Sequence, residues 1–354
     1  MPGGEVSPGV LMPSAERAGP ALGRRAPAAV LLHSAPLVVP VSTGPVRDGA
    51  VVTKGERVLA VGPRAELLAS HPAAEEFRWP GMIVAGLVDA CSAGPSDVPG
   101  VTARGGVLSD LADGPALPGI SYVEVTSAGE EEWEEHDRDA VITAIREVDR
   151  PPCVVGIAAH ARDPQVLEDV AVLARTFGLR LLVRLDRHSP AELDEAGVLG
   201  PLCHVASARS LDPGERKLLR LRGTAVALCP PEPSQVQDVL ALLDEGNTVA
   251  FGSCAPPGTP PTGPLGLAGA IRSEARKLGP RPKELDRRLV EAATLGGAAA
   301  LGMDGGRGRI GSLAAGARAD FAVFDARGRY PYAALLSQPP CLGTVVGGVI
   351  TRGR

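Results

Sequence analysis

The sequence predicts an α/β protein: a (β/α)8-type TIM barrel, shortened by as much as one unit, with a composite β-sandwich formed by both chain ends. Three observations carry this expectation. Between residues 81 and 309, short β-branched apolar runs alternate with helical stretches, the signature of a parallel sheet. Those runs are apolar throughout rather than alternating, as in strands covered on both faces. β-type runs with hairpin signals recur at both ends of the chain, and neither end alone has enough strands to hold a core.

In chain order, residues 1–28 are rich in Pro, Gly and Ala without periodicity and are expected to be disordered. Over residues 29–80, Ala29–Leu32, Leu37–Val41, Ala50–Val52 and Val58–Val61 read as strands. Asp48-Gly49 and Lys54-Gly55 read as hairpin turns, and Pro63–Ser70 as a short helix. After the Trp79-Pro80-Gly81 turn, Ile83–Val88 reads as the first barrel strand, opening into a loop at Cys91 to Ala93.

The stretch from Ala93 to Ile120 is rich in Gly, Pro and Asp and shows no clear βα unit. From there strands are expected at Ile120–Val125, Cys153–Ala159, Leu181–Leu185, Leu202–Ala206, Ala225–Cys229 and Thr248–Gly252. Helices are expected at Glu130–Val148, Pro164–Phe177, Pro190–Ala196, Pro213–Leu221, Gln235–Leu243, Leu265–Lys277 and Lys283–Gly296. That makes about seven barrel strands in roughly 230 residues, low in the range for a barrel. Over residues 310–354, Ile310–Leu313, Ala319–Phe324 and Leu342–Thr351 return to strand, with Gly347-Gly348 as a hairpin turn.

Composition excludes several functions. The chain has 354 residues, is 44% hydrophobic and 22% charged, and carries a formal charge of −5, with no basic stripe for nucleic acid. No apolar run approaches the ~20 residues needed to span a bilayer. Arg24-Arg25 and the apolar residues after it imitate a leader, but His33 and two prolines interrupt them, so a cytoplasmic protein is expected. The six cysteines are scattered without a Cys-x-x-Cys pair, which reads as buried reduced thiols. His33, His71, His136 and His188 read as surface residues, and the acidic run Glu130–Glu135 as a solvated helix start.

Two motifs carry a resemblance. Gly81-Met-Ile-Val-Ala-Gly-Leu-Val-Asp-Ala-Cys-Ser-Ala93 resembles the first barrel strand of the metal-dependent amidohydrolase superfamily, which usually reads Pro-Gly-(Leu/Phe)-Val-Asp-Ala-His-Thr-His. Ala292-Ala-Thr-Leu-Gly-Gly-Ala-Ala-Ala-Leu-Gly302, followed by Ile310-Gly-Ser-Leu-Ala-Ala-Gly-Ala-Arg-Ala-Asp-Phe-Ala-Val-Phe324, resembles the family's ATxxGAxALG…IGSLxxGxxADLVVxD. The likeness covers most of residues 30–350 and points to the deaminase, chlorohydrolase and imidazolonepropionase-like branch, which acts on non-peptide C–N bonds.

The resemblance implies zinc, which activates water in that branch. It also implies where the ligands should lie. The two first-strand histidines fall on Cys91 and Ala93, the middle His-x-x-Glu on Arg184 to Arg187, and the final Asp on Cys254. A guanidinium is always protonated and neither ligates a cation nor acts as a base. His204 reads as a retained motif histidine, and His160 resembles a substrate-side one. No metal is therefore expected. Were one bound, Cys91, His204 and Cys254, with Cys203 nearby, would be the donors.

His204 and His160 are the candidate catalytic residues, with a Cys–His nucleophile pair of Cys91 or Cys254 with His204 as a variant. Arg184, Arg187 and His160 would bind a small anionic ligand, or the arginines would pair with Asp186 or Glu192. The expected protein is a pseudoenzyme that binds a small molecule and forms homo- or hetero-oligomers. The alternatives are an active C–N hydrolase with a Cys/His site and a structural partner of an active paralogue.

Overall fold

The structure, a computed structural model, describes residues 29–92, 98–108, 117–148, 153–229, 236–254, 262–279 and 284–353. The expected disordered segment 1–28 lies outside them, as do residues 93–97 and 109–116 of the stretch between Ala93 and Ile120.

Sixteen strands run along the described chain. They are β1 (Val30–Val39), β2 (Val46–Lys54), β3 (Arg57–Pro63), β4 (Glu75–Arg78), β5 (Met82–Ala85), β6 (Leu87–Asp89), β7 (Val101–Val107), β8 (Gly119–Val125), β9 (Cys153–Ala159) and β10 (Arg180–Arg184). β11 (Cys203–Ser207), β12 (Ala225–Leu228), β13 (Val249–Phe251), β14 (Phe321–Phe324), β15 (Cys341–Val346) and β16 (Val349–Gly353) follow. They form two eight-stranded sheets. One draws on both chain ends, in the order β16-β15-β14-β5-β1-β2-β3 with β4 beside β1.

The other sheet is all parallel, β6 to β13 in sequence order. Its two edges meet through backbone bonds, Ala90 N–H to the Phe251 carbonyl at 2.9 Å and Cys254 N–H to the Cys91 carbonyl at 2.9 Å. A β/α-barrel closes there.

The barrel has eight strands, not seven. β7 went unread because Val101-Thr-Ala-Arg-Gly-Gly-Val107 carries two glycines and an arginine, which dilute the β-branched signal. The single strand expected at Ile83–Val88 is in fact two. β5 belongs to the end sheet, antiparallel to β14, and β6 opens the barrel.

Gly86 is the break between them. A Cβ there would lie 1.9 Å from Thr102 Oγ1, so only a bare backbone lets the chain pass from one sheet to the other. Gly86→Ala should therefore destabilise by about 1 to 3 kcal/mol, read as a lowered urea midpoint. A variant as stable as the parent would contradict this placement.

Other expectations shift less. Ala29–Leu32 and Leu37–Val41 merge into β1, and Asp48-Gly49 lies inside β2 with Gly49 paired to Ala35 rather than in a turn. Ile310–Leu313 is a loop. The helix expected at Lys283–Gly296 is seen as Leu285–Glu291, a π turn over Ala292–Gly296, and Gly297–Ala300. Arg180, at the N-terminal end of β10, donates to the Ala300 carbonyl at 2.6 Å. That places this segment across the base of the barrel. Helix starts follow local chemistry: Asp163 and Ser189 cap Pro164–Phe177 and Pro190–Glu195 with their side-chain oxygens.

The barrel interior is a packed core rather than a pore. Ala103, Ala158, Ala206, Ala227 and Ala250 line it, and the fully buried Tyr122 ring fills the space that these small side chains leave. Among the described residues, no helix is long and apolar enough to cross a membrane.

Candidate functional site

At the C-terminal end of the barrel, the ends of β6, β12 and β13 bring together three buried cysteines: Cys91, Cys229 and Cys254. Their sulfur atoms all lie within 4.8 Å of one another. Cys229 and Cys254 form a disulfide with Cα atoms 5.5 Å apart, whereas Cys91 is outside it. This corrects the reading of all the cysteines as reduced thiols. Sequence spacing gave no hint of the pair because parallel neighbours are separated by a whole helix, here 25 residues. Cys203 keeps a buried thiol, pushed up to about 12 by desolvation, and Cys341 is half-buried and also unbridged.

Close backbone packing holds the trio. A Cβ on Gly252 would fall 2.8 Å from Cys91 Cβ, so the β6 and β13 ends touch main chain to side chain. Asp89, 1% exposed, ties the same two strands: its carboxylate accepts from Ser253 N–H at 2.9 Å and from Ser253 Oγ at 2.5 Å. Burial raises the Asp89 pKa, opposed by the Ser253 side chain and backbone, the Cys91 backbone and the Arg104 charge. Sequence reading passed over Asp89 as part of a motif. Its position directly after the apolar run, at a strand end, was the available signal.

His204 does not join the thiols. It is fully buried on β11, where Nε2–H donates to the Ala90 carbonyl at 3.0 Å and Nδ1 faces the Tyr122 hydroxyl at 3.4 Å. Both ring nitrogens are engaged, and desolvation pushes the pKa down to about 3. The group expected from Cys91, His204 and Cys254 forms instead with Cys229 in the histidine's place. His204 braces strands within the barrel, with its ring edge-on to Tyr122 at 5.6 Å.

His160 sits at the rim, following β9, and Nδ1 meets Glu124 Oε1 at 2.7 Å. Its Nε2 is buried and has no hydrogen-bond partner among the described residues. Desolvation lowers its pKa against the pull of Glu124, and Arg187 and Arg184 lower it further. Glu124, with 39% of its side chain exposed, was missed from sequence. It follows Ile120 and Tyr122 at a spacing of two, and that period puts all three on the inner face of β8.

Arg184 Nε lies 3.4 Å from Asp186 Oδ1, one of the two carboxylate partners expected for it, and both groups are substantially exposed. Arg187 is exposed and lines a cavity of about 550 Å³ with Arg162, Asp186, His188 and Glu192. His188 is buried rather than at the surface, as is His33, which takes a hydrogen bond from Trp79 Nε1 at 3.3 Å. His33 lies within β1 and His188 just before the helix at Pro190, and each is covered by a layer that the sequence alone does not show. Ala93 and the side chains of His136 and Cys153 lie outside the described residues.

Comparison with known proteins agrees with this fold. The Amidohydrolase family matches residues 107–352, and the bacterial imidazolonepropionase-like composite domain matches residues 49–74. A 5-methylthioadenosine/S-adenosylhomocysteine deaminase of Halobacterium salinarum is 29% identical over 229 residues, covering 62% of this chain and 46% of that protein. The same-named enzyme of Syntrophobacter fumaroxidans is 34% identical over 157 residues, covering 42% of this chain and 34% of that protein. The matched parts thus amount to less than half of these curated relatives.

Among solved structures, an adenosine deaminase from Xanthomonas campestris with bound zinc superposes with a TM-score of 0.76 at 18% identity, covering 93% of this chain and 94% of that one. Helicobacter pylori aminofutalosine deaminase gives 0.72 at 12% identity, covering 91% and 100%. These likenesses show the fold alone. With the family match running through the barrel from β7 to the last strand of the end sheet, this chain belongs to the amidohydrolase family.

Proposed function

We propose that this chain is a member of the amidohydrolase family that does not carry out metal-dependent C–N hydrolysis, and that it serves as a binding protein in the cytoplasm. One observation supports this most: a packed cluster of three cysteine sulfurs stands at strand ends where the family resemblance places metal ligands, at Cys91 and Cys254. A hydrolytic zinc site needs donors around an open position for water. Here the position of the last-strand aspartate is the buried Cys254, packed against Cys229 and Cys91, and Arg184 is paired with Asp186. Neither these groups nor the alanine at position 93 fit that ion, and no step is routed through it.

The rim keeps polar side chains. Arg162, Arg187 and His188 line a cavity that also carries Glu168, Asp186, Glu192 and Glu195, a mixed lining that offers hydrogen bonds and both charges to a small polar ligand. Pairing with a second copy or with a related chain accords with a binding role.

Incubated with zinc and with 5′-methylthioadenosine, S-adenosylhomocysteine or adenosine, the purified chain should release no ammonia above a no-protein control. Steady zinc-dependent ammonia release would refute the reading. A second reading, an active hydrolase, is favoured by the Glu124–His160 pair, because a carboxylate that orients Nδ1–H leaves Nε2 as a base. It predicts turnover that His160→Gln abolishes while the fold survives.

A further inference from the structure

Outside the hydrolytic question, the sulfur cluster has chemistry of its own. Three sulfurs from three adjacent strands converge within 4.8 Å, and among the described residues no His, Asp or Glu joins them. Cys91, Cys229 and Cys254 are 4%, 3% and 5% exposed, and alanines such as Ala90, Ala227 and Ala250 surround them. A cytoplasmic setting, as proposed above, keeps most disulfides open.

We propose that, once the Cys229–Cys254 bond is reduced, Cys91, Cys229 and Cys254 form a three-thiolate site for a cuprous ion. The size fits. Thiolate sulfurs at about 2.3 Å from a shared metal stand about 4 Å apart, inside the 4.8 Å that encloses all three sulfurs, and the bonded Cys229 and Cys254 sulfurs separate to that spacing on reduction. The donor set fits as well, because soft thiolates select soft ions. A cuprous ion is satisfied by three sulfurs in a plane. Zinc would add a fourth ligand; no His, Asp or Glu of the described chain supplies one, so it would have to draw a water into a site whose cysteines are 3 to 5% exposed.

The chemistry balances. A small dithiol gives two electrons and two protons to the Cys229–Cys254 bond and becomes its own cyclic disulfide. Each of the three thiols then passes its proton to water as its sulfur–copper bond forms, and copper stays cuprous throughout. The disulfide form therefore binds no copper and the reduced form does, so the site is gated by the thiol poise of its surroundings. The inference rests on the proposed function only for its cytoplasmic setting, and it requires neither the loss nor the presence of hydrolysis.

The test uses the full chain, reduced with dithiothreitol, desalted without oxygen and titrated against the coloured cuprous complex of bicinchoninate. The reduced chain should remove one copper per chain, and the unreduced chain none. Cys91→Ser and Cys229→Ser should each weaken uptake at least 100-fold, whereas Cys203→Ser and Cys341→Ser leave it unchanged.

X-ray absorption of the copper-loaded parent should show three sulfur neighbours and no oxygen, and this reading stands even where a serine variant fails to fold. Copper left on the indicator by the reduced parent would overturn the site. So would an oxygen neighbour, or full uptake by a folded Cys91→Ser chain. Ammonia release from a nucleoside with copper uptake intact would overturn the proposed function instead and leave this site standing.

Discussion

Asp89→Ala should cost about 3 to 5 kcal/mol of folding free energy, the largest single effect expected outside the hydrophobic core. The carboxylate is 1% exposed and is the polar link between β6 and β13, where the barrel closes. Alanine leaves the Ser253 N–H and hydroxyl buried without an acceptor, and each such group costs about 1 to 3 kcal/mol. A small cavity adds to that.

Asp89→Asn keeps an acceptor for the N–H and should cost only about 1 to 2 kcal/mol. Urea unfolding followed by far-ultraviolet circular dichroism measures both. Because a domain's whole stability is about 5 to 15 kcal/mol, the alanine chain should lose at least about a fifth of its margin. A loss below about 1 kcal/mol would show that the barrel closes without this carboxylate.

The second large effect is acid destabilisation well above the carboxylate range. Burial pushes His33 down to about 4 and His204 down to about 3 from an ordinary value of 6.5. Both pKa values are depressed in the folded state, so unfolding takes up protons between pH 6.5 and about 4. The stability these histidines contribute is full above pH 6.5 and is lost as pH falls, at about 1.4 kcal/mol per pH unit for each.

Asp320 acts in the opposite sense. Desolvation raises it to about 6 from 3.8, so below pH 6 the folded chain holds a proton that the unfolded chain releases. His160 and His188 are lowered and add to the loss, while Asp89 is raised and opposes it. By pH 5 the two deepest histidines lose about 2 kcal/mol each and Asp320 returns about 1 kcal/mol. Unfolding free energy measured from pH 7.5 to 5 should fall by about 2 to 3 kcal/mol, and His33→Phe should flatten that slope by about one proton. A flat profile would show these rings protonated in the folded chain.

Much of the fold was legible because its signals are local. Pro164–Phe177 has an Asp cap before it and Gly178 after it, and both ends were found where they were expected. The alternation of apolar runs and helices gave the barrel, and the pairing of chain ends followed from strands that cannot form a core alone. What failed was what depends on neighbours. β7 is a strand because Arg104, Gly105 and Gly106 pair with β8, not because of their own propensity.

The site was legible in its residue types and not in its grouping. Cys91 and Cys254 were marked through the family resemblance, but Cys229 was not, because it sits at the end of an ordinary apolar run. His204 was grouped with Cys91 and Cys254 because sequence shows its strand but not its depth along it. The register that pairs His204 with Leu182 and Ala225 places it below the strand ends, under Ala206. Glu124 needed only the period of two, and it is the partner that gives His160 a fixed orientation.

The central claim is that sulfur packing occupies the place of the hydrolytic metal. The most direct measurement is a zinc-edge anomalous difference map from crystals of the unreduced chain soaked in zinc. The account predicts no peak between the ends of β6 and β13, with density for the Cys229–Cys254 bond and the Cys91 sulfur beside it. A zinc peak there, carrying a water and held by side chains of those strand ends, would contradict it.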